Sequence, residues 1–302
     1  MNAQALSQNE WTECIRHYLE NIDVKASSKK VYVGALNQWL YFIKTADTHS
    51  DINLVLLYKQ HLLERGLSQF TVCIYMSTLK SLFRYLEENK IIEINPAKNI
   101  RVKKPRSTRQ ALNKTEVLKL LKLDFTDDIE GLRNKAILYL MIYTGIREIS
   151  IINSNIENLT LAEDEKTNIL FYQGKAKLQA DDFVVLTDEV YQPIKNYLTK
   201  RKNLSPKAPL FTPLCERDNT RLSTQTIRRI VKAAFLKIGI TNKTPHSLRH
   251  SCVSFAINSN VPIQDVRDMV GHASIQTTMT YYHQKNRLTA PAEAYVAKYL
   301  AS

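Results

Sequence analysis

The chain reads as mainly α with a small antiparallel β-sheet, arranged as a short N-terminal helical bundle and a larger second domain. Three observations predict this. Apolar residues recur at helical spacing through nearly all of 9–89 and again in several later stretches. Only between 156 and 186 do short apolar runs suited to strands replace that period. A length of 302 residues is enough for two ordinary domains, each able to bury its own core.

The first helix is predicted over Glu10–Glu20. The second follows Ser27-Ser28 and carries Val31, Ala35, Trp39 and Phe42 on its apolar side. The third spans Leu54–Arg65 and ends at Gly66; the fourth starts near Ser68 and carries Val72, Tyr75, Leu79, Leu82 and Leu86. Four such helices with short connections make a bundle, and residues 1–100 form the first domain. On the fourth helix Lys80 and Arg84 share one side, either as solvated charges or as a face laid on a polyanion.

Residues 101–109, Arg-Val-Lys-Lys-Pro-Arg-Ser-Thr-Arg, form the interdomain linker. Five of the nine are basic, none is acidic, and Pro105 discourages helix. Arg101, Lys103, Lys104 and Arg106 would contact phosphates if this strap wraps a duplex; the plain alternative is a solvated linker.

The second domain, 110–290, opens with a helix capped by Asn113 or Thr115 and running to Leu123. A long helix from Asp128 to Tyr143 follows and stops at Thr144-Gly145, with Arg147 immediately after. Strands are expected at 156–161, 169–172 and 183–186, with Gly174-Lys175-Ala-Lys177 between the last two. Helices at Glu189–Lys202 and Thr224–Ile238 come next, and residues 291–302 read as a short C-terminal helix with Ala294, Tyr295, Ala297 and Leu300 apolar.

The stretch Thr244–Tyr282 carries the chemistry. Thr244 caps a helix that Pro245 opens, His246 and Arg249 lie three apart on it, and Leu248, Cys252, Phe255 and Ala256 pin it to a core. Pro262 opens a second helix, Gly271 closes it, and His272 lies just beyond. Ser274 starts a third, which presents Tyr281 or Tyr282. At neutral pH only about 0.1% of a phenol is ionised. Fixed positive charge beside it favours phenolate and also stabilises the oxyanions of a phosphoryl transition state. Arginine makes bidentate bonds to phosphate, and histidine moves protons near pH 7. The set is built to hold a phosphate beside a phenol.

Composition narrows the partners. With 42 Lys+Arg against 29 Asp+Glu the net charge is +13, which points to a polyanion. No run of eighteen apolar residues and no signal-peptide pattern exists, so a cytoplasmic protein without a membrane partner is expected. The four cysteines, Cys14, Cys73, Cys215 and Cys252, are scattered and read as reduced thiols. Seven glycines and no glycine-rich phosphate loop argue against ATP or a dinucleotide.

Thr144-Gly-Ile-Arg147, Gly174-Lys175, His246-Ser-Leu-Arg249-His250, Gly271-His272 and Tyr281 occur in the order of the tyrosine recombinases. The chain resembles that phage integrase and Xer-like family over almost its whole length. The resemblance implies a SAM-like core-binding domain before the catalytic domain, and a clamp around double-stranded DNA. It implies that Tyr281 attacks a phosphodiester, giving a 3′-phosphotyrosine and a free 5′-hydroxyl, and that a partner strand's hydroxyl reverses the step with neither ATP nor a metal. Arg147 and Arg249 would clamp the non-bridging oxygens, Lys175 would protonate the leaving oxygen, and His246 and His272 would bond the phosphate or move the nucleophile's proton. The C-terminal helix would dock into a neighbour, linking a homo-tetramer on two DNA sites, with an accessory DNA-bending or directionality protein as a further partner.

The family's nine-residue interval from the Gly-His histidine selects Tyr281 over Tyr282. The Gly-Lys match selects Lys175, whereas counting back from 183–186 selects Lys177; with Lys175 as the acid, Lys177 is expected to contact DNA. His250 is expected to pack the helix or support the site from behind. The chain departs from the family where Ser150 replaces an acidic residue three after Arg147, and where an acid near Asn155 is missing. The alternatives are a type IB topoisomerase-like nicking and resealing enzyme, a non-catalytic DNA-binding protein, and a zinc hydrolase using His246 and His250. The last has no acidic third ligand nearby, and Arg249 would repel the cation. The bundle is expected to begin within about ten residues of Met1, so no arm-binding domain is expected and a simple Xer or transposon-resolvase type is favoured.

Overall fold

The computed structural model describes residues 6–45, 53–103, 111–174, 179–202, 204–214, 220–272 and 274–281. The chain divides into two compact units, Met1–Ser107 and Thr108–Ser302.

The first unit is built on four helices: α1 (Gln8–Asn21), α2 (Ala26–Thr45), α3 (Leu54–Glu64) and α4 (Gln69–Glu88). Three of them, α1, α3 and α4, begin where the sequence provides a cap. Ser7 and Glu10 form a reciprocal capping box on α1, and the Asn53 and Ser68 side chains accept backbone N–H groups of α3 and α4. The core is aromatic: the Trp39 ring meets Trp11, Tyr58 and Phe83 edge-on at 5.2–5.8 Å. Val31, expected on the core side of α2, is 47% exposed. Arg84 is exposed on α4 and Lys80 half-buried. Arg101 and Lys103 are exposed, yet their backbone is tied down: the Arg101 carbonyl accepts from Lys59 Nζ at 2.9 Å and the Lys103 carbonyl from Gln69 Nε2 at 2.9 Å. Lys104 and Arg106 lie outside the described residues.

In the second unit α5 (Lys114–Leu121) starts at Asn113, which forms a capping box with Glu116. Next come α6 (Ile129–Thr144) and α7 (Glu148–Asn153). Strands β1 (Leu159–Leu161), β2 (Asn168–Tyr172) and β3 (Asp182–Leu186) form one antiparallel sheet in the order β1-β2-β3. Helices α8 (Asp188–Thr199), α9 (Thr224–Lys237), α10 (Pro245–Asn258), α11 (Ile263–Val270) and α12 (residues 275–281) complete the described part. Helix α6 is central, buried on most sides, and packs against α8, α10 and α9.

Two expectations are corrected here. The run at 156–161 is a strand only from Leu159; Ile156–Asn158 is a 3₁₀ turn, because the Asn158 side chain accepts the Asn155 N–H at 2.7 Å and closes the chain into a helical turn. Residues 148–153, for which no helix was expected, form α7, whose Ser150, Ile151 and Ile152 are buried.

Candidate active site

The site lies where the ends of α6 and α11 meet α10. The Thr144 hydroxyl bonds back to the Leu140 carbonyl at 2.6 Å and accepts the Ile146 N–H at 3.3 Å. Gly145 turns the chain in the left-handed region, at φ +62°, and delivers Arg147 to the cap position of α7. A side chain at Gly145 would also crowd Cys252 and Val270, each 3.3 Å from the point a Cβ would occupy. Gly271 does the same at the end of α11, at φ +59°: its N–H bonds the Asp268 carbonyl and the His272 N–H bonds that of Arg267, both at 3.0 Å. That closure sets His272 just past the helix.

Arg249 grips both helix ends and Arg147 the second. Arg249, 5% exposed on α10, donates Nη1–H to the Gly145 carbonyl at 2.7 Å and Nη2–H to the Val270 carbonyl. Arg147 donates Nη1–H to the Gly271 carbonyl at 3.0 Å. The two guanidiniums thus converge on adjacent peptide carbonyls, Val270 and Gly271. Burial and then the charge of Arg147 push the Arg249 pKa down, and burial does the same to Arg147. Even pushed down to about 9, Arg249 remains charged at neutral pH, and Arg147 likewise stays a guanidinium cation.

His272 Nδ1 and Thr278 Oγ1 are 2.9 Å apart, and Thr278 is fully buried on α12. Burial first, and then Arg249 and Arg147, hold the imidazole pKa down to about 4, so the ring is neutral at pH 7. Helix α12 also brings Tyr281 back to α10, where its hydroxyl is hydrogen-bonded to His250 Nδ1. The His250 ring in turn meets His246 edge-on, with centroids 4.8 Å apart. His246 is exposed whereas Arg249 is buried, so the two residues that share a helical spacing serve different depths.

The sequence-predicted residues Arg147, Arg249 and His272 are therefore brought together, and Tyr281 and His246 are joined to them through α10. Lys175 and Lys177 lie outside the described residues, as do Tyr282 and the 291–302 segment. His250, expected to support the site from behind, contacts the phenol directly; its position four after His246 was the signal available in the sequence. Ser150 donates its hydroxyl to the Gln173 carbonyl at 3.1 Å, and the Asn155 Oδ1 accepts from Arg221 at 2.6 Å. The serine and the asparagine at the two positions without acids are thus bonded to neighbouring segments. An open pocket of about 1180 Å³ is lined by Arg147, Asp182, Gly271 and His272, with Phe183 and Val185 on its apolar side.

Comparison with known proteins gives a consistent picture. The profile of the Phage integrase family matches residues 110–287. The chain is similar to the tyrosine recombinase XerC of Thermodesulfovibrio yellowstonii, 29% identical over 279 residues, covering 89% of this chain and 91% of the relative. It is also similar to XerC of Syntrophus aciditrophicus, 25% identical over 293 residues, covering 89% and 92%. Among solved structures it shares the fold of the XerH recombinase bound to palindromic difH substrate, with TM-score 0.74, 23% identity, and 97% and 86% of the two chains covered. A lambda integrase tetramer bound to a Holliday junction has TM-score 0.70 at 14% identity, over 93% of this chain and 78% of that one. The chain belongs to the phage integrase family and is a tyrosine recombinase, an enzyme that cleaves and rejoins DNA in site-specific recombination.

Proposed function

We propose that Tyr281 is the nucleophile and that it forms a 3′-phosphotyrosine while a 5′-hydroxyl leaves. The observation that carries this is the convergence of Arg147 and Arg249 on the Val270 and Gly271 carbonyls, directly before His272. Two cations held side by side at a buried corner gain most from an anion, and each retains N–H donors for non-bridging oxygens. His272 is neutral; with the Thr278 hydroxyl donating to Nδ1, its ring proton sits on Nε2 as a donor for the phosphate. As the phenol oxygen bonds to phosphorus, its proton passes to His250 Nδ1, the atom it already faces, with His246 beside that ring. Lys175 is the general acid for the leaving 5′-oxygen, and Lys177 its alternative.

The net charge of +13 fits a double-stranded DNA substrate, with Lys80, Arg84, Arg101, Lys103, Lys104 and Arg106 as phosphate contacts. Residues 1–100 act as the core-binding domain, 101–109 as the linker and 110–290 as the catalytic domain. We further propose a homo-tetramer on two sites, linked by residues 291–302 and assisted by a DNA-bending or directionality protein, that serves a mobile element or resolves replicon dimers in the cytoplasm. The shared fold of the lambda integrase tetramer on a Holliday junction supports the assembly. No described helix is long and apolar enough to cross a membrane.

The test uses supercoiled plasmid carrying the DNA that flanks the gene, incubated with protein in EDTA and then denatured. Wild type is expected to become covalently bound to a 3′ end, and Tyr281→Phe to form no adduct. An adduct that persists in Tyr281→Phe moves the nucleophile elsewhere. No adduct from wild type on a verified, nicked site would sink the reading.

A further inference from the structure

Strands β2 and β3 bring two more polar groups to the same corner. Tyr172 ends β2 and Asp182 begins β3, and the two are paired across the ladder. Tyr172 is 2% exposed, too deep for a phenol that only covers a surface. The point a Cβ would occupy on Gly271 lies 2.9 Å from Tyr172 Oη, 3.7 Å from Asp182 Oδ2 and 3.8 Å from Arg147 Nη1. Phenol, carboxylate and guanidinium therefore surround one left-handed glycine, whose own carbonyl accepts the Arg147 N–H.

The electrostatics agree with the geometry. Against the burial that disfavours the charge on Arg147, the groups that favour it are Tyr172 first and Asp182 second; Tyr172 also favours the charge on Arg249. Ser150, at the position where the family resemblance leads one to expect an acid, is fully buried and spends its hydroxyl on the Gln173 carbonyl. Support for the arginine comes instead from the sheet.

We propose that Tyr172 and Asp182 are positioning residues for DNA cleavage, holding the Arg147 guanidinium against the Gly271 corner so that its remaining donors face the scissile phosphate. This rests on the recombinase reading of the site. A guanidinium displaced by a fraction of an ångström loses alignment with the transition-state oxygens, although DNA still binds through its other phosphate contacts.

The experiment measures single-turnover adduct formation on a nicked duplex carrying the site mapped with wild type. It compares wild type, Tyr172→Phe, Asp182→Asn and Arg147→Lys, with duplex affinity measured in parallel. Tyr172→Phe and Asp182→Asn are each expected to slow cleavage by at least about tenfold while duplex affinity stays within about twofold. On a duplex with a neutral methylphosphonate at the scissile position the loss should shrink, since less charge then needs the clamp. Cleavage at wild-type rate in both variants, or a loss just as large on the methylphosphonate duplex, overturns the proposal. Asp182→Asn is isosteric and half-buried, so it keeps the test standing where Tyr172→Phe fails to fold. A wild type that forms no adduct, with Arg147→Lys equally silent, overturns the recombinase site itself and this inference with it.

Discussion

In the first unit the largest fully buried side chains are Trp39, Tyr58 and Phe83, and the core is closed by rings meeting edge to face. In the second unit three arginines, Arg133, Arg201 and Arg249, are buried among its apolar residues. Among the described residues no charged side chain is buried to that degree in the first unit. The contrast within the second unit is sharper still. Arg133 and Arg201 are spent on loop carbonyls, at Thr212 and Pro209, and Glu130 stands 3.7 Å from Arg133. Arg249 holds carbonyls in the same way, but its charged neighbour is a second cation, Arg147. A buried arginine is thus an ordinary structural device; two cations facing one corner are not, because each raises the cost of the other. Such an arrangement fits the proposed role of this pair, clamping the scissile phosphate.

Removing the cation should give the largest effect. Arg249→Ala is expected to slow cleavage by about a hundredfold, about 3 kcal/mol in the barrier, read by single-turnover adduct formation. It should also lower the melting temperature, because the Gly145 and Val270 carbonyls lose their partner. The matching cut in the other unit is Phe83→Ala, expected to cost about 3–5 kcal/mol of stability. Both tryptophans, Trp11 and Trp39, lie in the first unit and touch Phe83, so tryptophan fluorescence during denaturation reports that unit alone. If Phe83→Ala slows chemistry on bound DNA as strongly as Arg249→Ala, the division of labour between the units is wrong.

Smaller effects refine the picture at the corner. Gly271→Ala forces a left-handed residue into contact with Tyr172 Oη and should cost on the order of 1–2 kcal/mol, with a larger loss in cleavage than in melting temperature. A separate signal is in pH. His272 falls from its ordinary 6.5 to about 4 on folding, so the unfolded chain takes up its proton first as pH drops. The preference of this group for the folded state is complete above about 6.5 and is lost between 6.5 and 4. His272→Gln should therefore show a flatter melting temperature than wild type across that window.

Much of this site was legible because its parts sit at punctuation. Gly145 and Gly271 are helix stops that the residues announce, and Arg147 follows the first by two residues and His272 the second directly. Asn113, one of the two caps the sequence offers, starts α5, and α6 begins at the expected Asp128, which caps it. Helix α7 escaped because six residues, Glu-Ile-Ser-Ile-Ile-Asn, are too few to show a period. The aliphatic Ile156 looked like strand, but a side chain two positions on decided otherwise. His250 was visible by spacing, though only the fold turns its ring toward Tyr281. Nothing along the chain links Tyr172 to Arg147; that neighbourhood exists only through the register of β2 and β3 and the return of α11.

The acceptors that hold Arg249 are not carboxylates but the carbonyl ends of α6 and α11. Aligned peptide dipoles place roughly half a negative charge at each helix C-terminus, so two ends together approximate one counterion that is covalently part of the backbone. Such a counterion cannot be protonated, exchanged for chloride or swung toward the incoming phosphate. On the proposed reading, a phosphodiester entering the corner meets a cation steadied from behind by backbone carbonyls and open in front, with no side-chain anion to displace from the Arg249 bonds before it binds.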